Sequence, residues 1–326
     1  VNIRILNYDK EKLTVTYNTS FDTVAGKVDF ENELTFLEED GQYKALWSDS
    51  VIYPGLETSD KVRVSTIQAN RGEILDRNGR MLAGKGLASS VGIIPGKLVN
   101  REKSIARIAK LLEIKTEEIE KQLSAKWVKD DSFVPLKNIS KVKEIELLKL
   151  EPDKNALKEQ KRQEKLLNIP GVMISDVEIR EYPLKEAAAH LIGYVQNVTA
   201  EDLEEHAGEG YTSTSVMGKT GLEGLYEKEL KGENGCRIYI VDCEGKEKEE
   251  LAYKTVQNGK NVKLTIDADL QQQLYESFKT DKSCSVSMNP FTGEVLALVS
   301  TPSYDTNAFI IGMTQKQWKA LNEDEQ

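Results

Sequence analysis

The apolar residues Val28, Phe30, Leu34 and Phe36 share one parity along the chain. Period-two spacing of this kind marks one buried face of a β-strand. Asp40–Gly41 is a hairpin turn signal, and Tyr43 to Trp47 reads as the returning strand. Residues 1–50 therefore predict an antiparallel sheet without a covering helix of its own. Tyr53-Pro54-Gly55 interrupts the pattern, and residues 60–68 predict another strand. Asn78–Gly79 predicts a turn, after which Arg80 to Ala83 resumes a strand. Over residues 101–165 the period becomes helical. Ile105, Ile108, Ala109 and Leu112 fall at i, i+3, i+4 and i+7, and Ile119 and Leu123 repeat the spacing briefly. Residues 154–167 carry many charges and few apolar positions, which predicts a solvated helix face.

Ile169 to Ser175 returns to strand. Ala187 to Gly193 predicts a short helix ended by glycine. Thr199-Ala-Glu-Asp202 is spaced as a capping box. Leu222, Leu225, Tyr226 and Leu230 predict an amphipathic helix stopped at Gly232. Residues 235–243 and 262–266 predict strands, and Leu270, Leu274 and Phe278 place a helix after Asp267. The last unit is a hairpin, Ser283–Met288 with Glu294–Ser300, turned at Asn289-Pro-Phe-Thr-Gly293.

Composition narrows the chemistry. Lys plus Arg is 44 and Asp plus Glu is 54, giving a net charge of −10. That argues against nucleic acid, which requires cations to displace condensed counterions. Its 326 residues suffice for two or three domains with cores that need no staples. The longest apolar runs, such as Val295 to Val299, are too short to span a bilayer. The chain starts at Val1, so the expectation is that the native start, and any anchor with it, lies upstream. Cys236 and Cys243 lie on one predicted strand, about 23 Å apart, which is beyond disulfide reach. All three cysteines, with Cys284, read as small buried residues. The only histidines are His190 and His206, and no zinc-ligand spacing or nucleotide-binding glycine loop occurs. No metal or other cofactor is expected.

Two separated stretches carry a family signature. The first is Arg71-Gly72-Glu-Ile-Leu-Asp76-Arg77-Asn78-Gly79 with Leu82-Ala83. The second is Gly218-Lys-Thr-Gly221-Leu222-Glu223 with Tyr226, Leu230 and Gly232. Together they resemble the non-catalytic dimerisation, or pedestal, domain of class B penicillin-binding proteins. Tyr182-Pro183 and His190-Leu-Ile-Gly-Tyr-Val195 are similar to that family's middle motif. Leu264-Thr-Ile-Asp267, Asn289-Pro-Phe-Thr-Gly293 and Ser300-Thr-Pro302-Ser-Tyr-Asp305 resemble the opening of its transpeptidase domain. The N-terminal sheet resembles the second half of the NTF2-like domain in the low-affinity, methicillin-resistance type.

The resemblance implies an α+β chain in three segments: 1–60, NTF2-like; 61–235, pedestal with a helical insert; and 236–326, an incomplete transpeptidase α/β domain. It implies a parent D,D-transpeptidase that cross-links peptidoglycan on the extracytoplasmic face of the membrane, held by an N-terminal anchor absent from this chain. Stem peptides and β-lactams would meet the catalytic domain, and division or elongation proteins would be partners. In the low-affinity type, cell-wall fragments would bind between lobe and pedestal, and β-lactam resistance would follow. The alternative is a non-enzymatic module that docks cell-wall polymer or division proteins. Within the signature, Arg71 or Arg77 is expected to pair with Glu223 and clamp the pedestal, while Gly79 supplies a positive φ.

The family reaction needs S-x-x-K, S-x-N and K-T-G in that order. Here Ser140-Lys-Val-Lys143, Lys219-Thr220-Gly221 and Ser287-Met288-Asn289 occur in the order S-x-x-K, K-T-G, S-x-N. They are expected to be coincidental, with the nucleophile beyond Gln326 and no catalytic residue in this chain. The final hairpin is then expected to expose Val295 and Leu298, and to be disordered or packed on another molecule.

Overall fold

The computed structural model describes residues 1–142, 154–313, 318, 319 and 321. In chain order the strands begin with β1 (Asn2–Asp9), β2 (Thr14–Thr23), β3 (Gly26–Glu39), β4 (Gln42–Ala45) and β5 (Lys61–Ile67). Next come β6 (Ile74–Leu75), β7 (Met81–Ile93), β8 (Val134–Ser140), β9 (Val172–Glu181), β10 (Val195–Asn197) and β11 (Val216–Gly218). The last are β12 (Gly235–Val241), β13 (Glu247–Lys254), β14 (Val262–Lys263), β15 (Ser283–Met288) and β16 (Val295–Thr301). The longer helices are α1 (Arg101–Leu112), α2 (Thr116–Leu123) and α3 (Lys154–Leu167). The short helices α4 (Ala189–Ile192), α5 (Ala200–Glu205), α6 (Gly221–Leu225) and α7 (Glu227–Lys231) follow, then α8 (Ala268–Phe278) and α9 (Asn307–Ile311). This is the mixed α+β class that the pattern predicts. The chain forms two compact units that interleave across the three sequence segments.

The first unit is Val1–Arg71 with Lys231–Lys260. Its N-terminal sheet is antiparallel in the order β1-β2-β3-β4. The even positions of β3 do face inward. Val28 is buried, and the Phe30 ring lies 4.8 Å from that of Tyr53. The cover on this face comes from the segment around the proline–glycine break. Tyr17 Oη donates to Val51 O at 2.7 Å, and Asn32 Nδ2 donates to Ser50 O at 2.6 Å. A second sheet, β13-β12-β5, meets the first where Ala25 packs on Cys236 and Ile238. Only Cys236 is buried; Cys243 and Cys284 are exposed, contrary to the reading of all three as core residues. Cys243 lies beyond the end of β12, where the turn Asp242–Gly245 leaves the sheet.

The second unit is Gly72–Leu230 with Asn261–Gln326. Its central strand β7 pairs antiparallel with β8, β9 and β6, and β14 extends the sheet beside β6 in parallel. The α1 stripe of Ile105, Ile108, Ala109 and Leu112 is buried as the spacing predicts, against Val91, Ile93 and Ile139 of the sheet. Residues 101–165 are not continuously helical, because β8 intervenes. Pro135 stands on this edge strand opposite Gly92, where a register shift accommodates its missing N–H. The single helix expected over Leu222–Leu230 is broken at Tyr226 into α6 and α7, which leaves Leu225 74% exposed. On α8, Leu270, Leu274 and Phe278 are only half-buried, whereas Ala268 and Gln271 are buried. The hairpin β15–β16 covers one face with α8. Leu298, Val286, Met288 and Phe291 are exposed, whereas Val295 packs on the second core, contrary to expectation.

Candidate functional site

The signature residues of the second unit converge on two buried carboxylates. The first is Asp76, which has no exposed surface. Its Oδ1 accepts from the backbone N–H of Asn78 and of Arg80, each at 2.8 Å. Its Oδ2 accepts from Arg80 Nε at 2.8 Å and from Ala268 N at 3.4 Å. The turn closes through Gly79 N–H to Asp76 O at 3.1 Å, with Gly79 at φ +83°. An L side chain there would be strained. Arg80 extends the network to Asp269 at 2.8 Å.

The second carboxylate is Glu223, on α6, also without exposed surface. Arg180 Nε of β9 donates to Glu223 Oε1 at 2.6 Å, and Arg180 Nη1 donates to Gly72 O at 2.7 Å. Gly72 N in turn donates to Leu230 O at 2.8 Å. One guanidinium thus joins the end of β9, the first signature stretch and α6. Its Nη2 is buried and has no hydrogen-bond partner. Arg180 lies outside both signature stretches. Arg77 lies 3.9 Å from Glu294, and both groups are more than a third exposed. Leu222 packs on the core of Ile74, Leu82, Tyr182 and Ile192.

Glycines allow the close approach that buries Glu223. Gly221 adopts φ +57°, and a Cβ on it would lie 2.6 Å from Gly193 N. Tyr182 and Val195, from the two halves of the middle motif, meet directly: Val195 N donates to the buried Tyr182 Oη at 2.9 Å.

The same framework seats the C-terminal segment of the unit. Arg77 N donates to Ile266 O at 2.9 Å, and Asp267 N to Leu296 O at 2.8 Å. Asp267 caps α8 by accepting from Asp269 N and Leu270 N. Buried Gln271 donates to Ala187 O and Leu298 O, each at 2.7 Å, and accepts from Leu298 N at 2.8 Å. Asn307 brackets Tyr182, accepting from its N–H and donating to its carbonyl, each at 2.9 Å. Tyr194 stacks on Phe309 with centroids 3.9 Å apart. Such a polar seam fixes one orientation, because any shift would strand donors that are now paired.

The three short catalytic-type strings lie apart. Ser140 ends β8, and Lys143 falls outside the described residues. Lys219 precedes α6 and holds Asp202 Oδ1 at 2.5 Å, inside the capping box of Thr199 and Asp202. Ser287 lies on β15. Among the described residues no hydrogen bond links Ser140, Lys219 and Ser287.

These carboxylates predict an acid limb. The Lys219 hydrogen bond, followed by those from Thr199, holds Asp202 down at about 2. Burial alone would raise Asp76, but hydrogen bonds from Arg80, Asn78 and Ala268 bring it below the usual range. A depressed folded-state value contributes stability above the unfolded value of about 3.9 and loses it as pH falls through the folded value. The urea midpoint of the second unit should hold from pH 7 to about 5 and drop between about pH 4 and 2. Asp202→Asn should make that limb shallower; an unchanged limb would refute the assignment to Asp202.

The family model for the penicillin-binding protein dimerisation domain matches residues 66–264, more than half of the chain. Penicillin-binding protein 3 of Bacillus subtilis (strain 168) is 39% identical over 95% of this chain and 44% of its own length. Peptidoglycan D,D-transpeptidase MrdA of Escherichia coli (strain K12) is 28% identical over 83% of this chain and 42% of its own. The chain thus spans less than half the length of these two curated relatives. Among solved structures, the complex between PBP2 and MreC from Helicobacter pylori aligns with a TM-score of 0.56 at 24% identity. That alignment covers 81% of this chain and 47% of the solved one, and it supports the fold. The chain belongs to the penicillin-binding protein dimerisation-domain family.

Proposed function

We propose that this chain is the pedestal region of a membrane-anchored peptidoglycan D,D-transpeptidase, whose full-length form cross-links peptidoglycan and is acylated by β-lactams. The observation that carries this reading is the polar seam on Asp76, Gln271 and Asn307. It fixes the segment resembling the start of a transpeptidase domain onto the pedestal core. A pedestal transmits position only if the joint is rigid, and this joint is built of hydrogen-bonded groups, with Asp76 and Gln271 buried and Asn307 half-buried. The exposed hairpin face around Val286 and Met288 would then be covered by further layers of that domain.

The finer parts of the reading rest on resemblance. The four-stranded sheet would be half of an NTF2-like domain, which assigns the parent to the low-affinity type with reduced β-lactam susceptibility. Its place would be the extracytoplasmic face of the membrane. Among the described residues no helix is long and apolar enough to cross a bilayer, so an anchor would lie elsewhere. A solved relative is in complex with MreC, which supports an elongation-type partner for the parent.

Intact-mass measurement after incubation with a reactive β-lactam tests the proposal. The chain alone should gain no adduct. The full-length product of its gene should gain one, on a serine outside residues 1–326. An adduct on this chain would overturn the non-catalytic assignment, with Ser140→Ala the first variant to map it. No adduct on either form would favour the non-enzymatic docking module.

A further inference from the structure

The second unit holds a strongly basic cleft inside an acidic protein. About 670 Å³ in volume, it lies between the C-terminal end of α1, the end of β8 and α3. From α3 it is lined by Lys158, Lys161, Arg162 and Lys165. Lys110, Lys141 and Lys185 add three more cations, and Glu113 and Glu159 are the carboxylates in the lining among the described residues. Lys141 pairs with Asp176 at 2.5 Å and Arg162 with Glu159 at 2.7 Å. Lys110, Lys158, Lys161, Lys165 and Lys185 have no carboxylate partner among the described residues. Near the cleft, burial and then the charge of Arg162 hold the Lys137 ammonium below its usual range, while Glu113 and Glu118 act the other way. A chain of net charge −10 gathers this excess in one concavity, where low-dielectric walls focus the potential.

Lys158, Lys161 and Lys165 form one exposed stripe at i, i+3 and i+7 along the lining of the cleft. Like charges at this spacing destabilise a helix by a few tenths of a kcal/mol per pair. Among the described residues no ion pair to these three lysines offsets that cost, whereas an anion in the cleft would. The stripe runs about 10 Å along the helix axis, longer than a single phosphate.

We propose that this cleft binds a linear polyanion with successive phosphate charges. Six of the seven cations among its described lining residues are lysine, which meets phosphate as a point charge. Recognition of carboxylates in an acidic peptide favours the planar fork of arginine. The few apolar lining residues, Leu111, Val142 and Ala156, offer a peptide little anchorage.

Long-chain inorganic polyphosphate titrated calorimetrically into the chain tests the proposal. Saturable binding is expected, weakening roughly tenfold between 50 and 200 mM salt as counterions are released. The triple variant K158E/K161E/K165E should bind at least tenfold more weakly. A control, K228E/K260E/K282E, makes the same charge change on exposed lysines outside the cleft and should stay within about twofold. Thermal melts establish that both variants fold; should the first fail to fold, K158Q/K161Q/K165Q replaces it with the same expected weakening. Equal losses in the cleft and control variants would overturn the site. Poly-glutamate binding as tightly as polyphosphate would overturn the phosphate assignment. Absence of saturable binding, or binding confined to phosphatidylglycerol vesicles, would overturn the proposal.

Discussion

Replacing Glu223 with alanine should destabilise the second unit by about 3–5 kcal/mol, because it strands a buried guanidinium. Arg180 is 6% exposed at its side chain, and Glu223 is fully buried. Neither group can recover its lost interactions from water without local unfolding. Arg180→Ala should cost a similar amount, since it also removes the donor to Gly72 O. The double variant Arg180→Met/Glu223→Leu should recover part of the loss, because it removes the guanidinium that Glu223→Ala strands. Recovery should stop short of the native level, as the Gly72 carbonyl keeps no guanidinium donor. Urea unfolding followed through Trp127, with Trp47 and Trp318 replaced by phenylalanine, reads the second unit. Single losses below about 1 kcal/mol would show that the pair is not the clamp inferred here.

That pair also shows where the sequence stops being legible. The signature stretches point to Glu223 but not to Arg180 as a partner for it. Arg180 gave no such signal. It ends a strand on which Asp176 and Glu178, at the same parity, are exposed, so alternation points it toward solvent. It is buried because the strand end passes beneath Gly72 and α6, a contact 43 residues long in sequence on the Glu223 side. The stripe of α1, the even face of β3 and the Thr199 capping box were readable because each is a local pattern with one physical solution. The strand β8 was hidden in a charged region, where a few alternating apolar residues around Pro135 do not outweigh the helical run before them. Gln271 was unreadable for a related reason. A polar residue becomes core only when distant carbonyls, here Ala187 and Leu298, converge on it.

Gly221→Ala should cost about 2–5 kcal/mol, from two separate causes. The left-handed backbone at φ +57° carries a penalty of about 1–2 kcal/mol for any residue with a Cβ. The new methyl would also meet Gly193 N at 2.6 Å and the carbonyl of Ile192 at 2.7 to 2.8 Å. These are backbone atoms that cannot swing aside, and overpacking of this kind costs about 1–3 kcal/mol. Gly224, three residues later on the same helix, is the internal control. Its nearest neighbour would be 3.4 Å away, and its φ lies outside the left-handed region. Gly224→Ala should therefore be neutral or stabilise by up to about 1 kcal/mol through helix propensity. The contrast separates geometry from composition, since both variants add one methyl to α6. If the strain pushes α6 off Gly193, Glu223 moves with it and the Arg180 pair weakens. Gly221→Ala should then be less than additive with Glu223→Ala, because both act on one contact. Full additivity would mean that Gly221 serves only its own turn, and that the close approach does not set the position of the buried carboxylate.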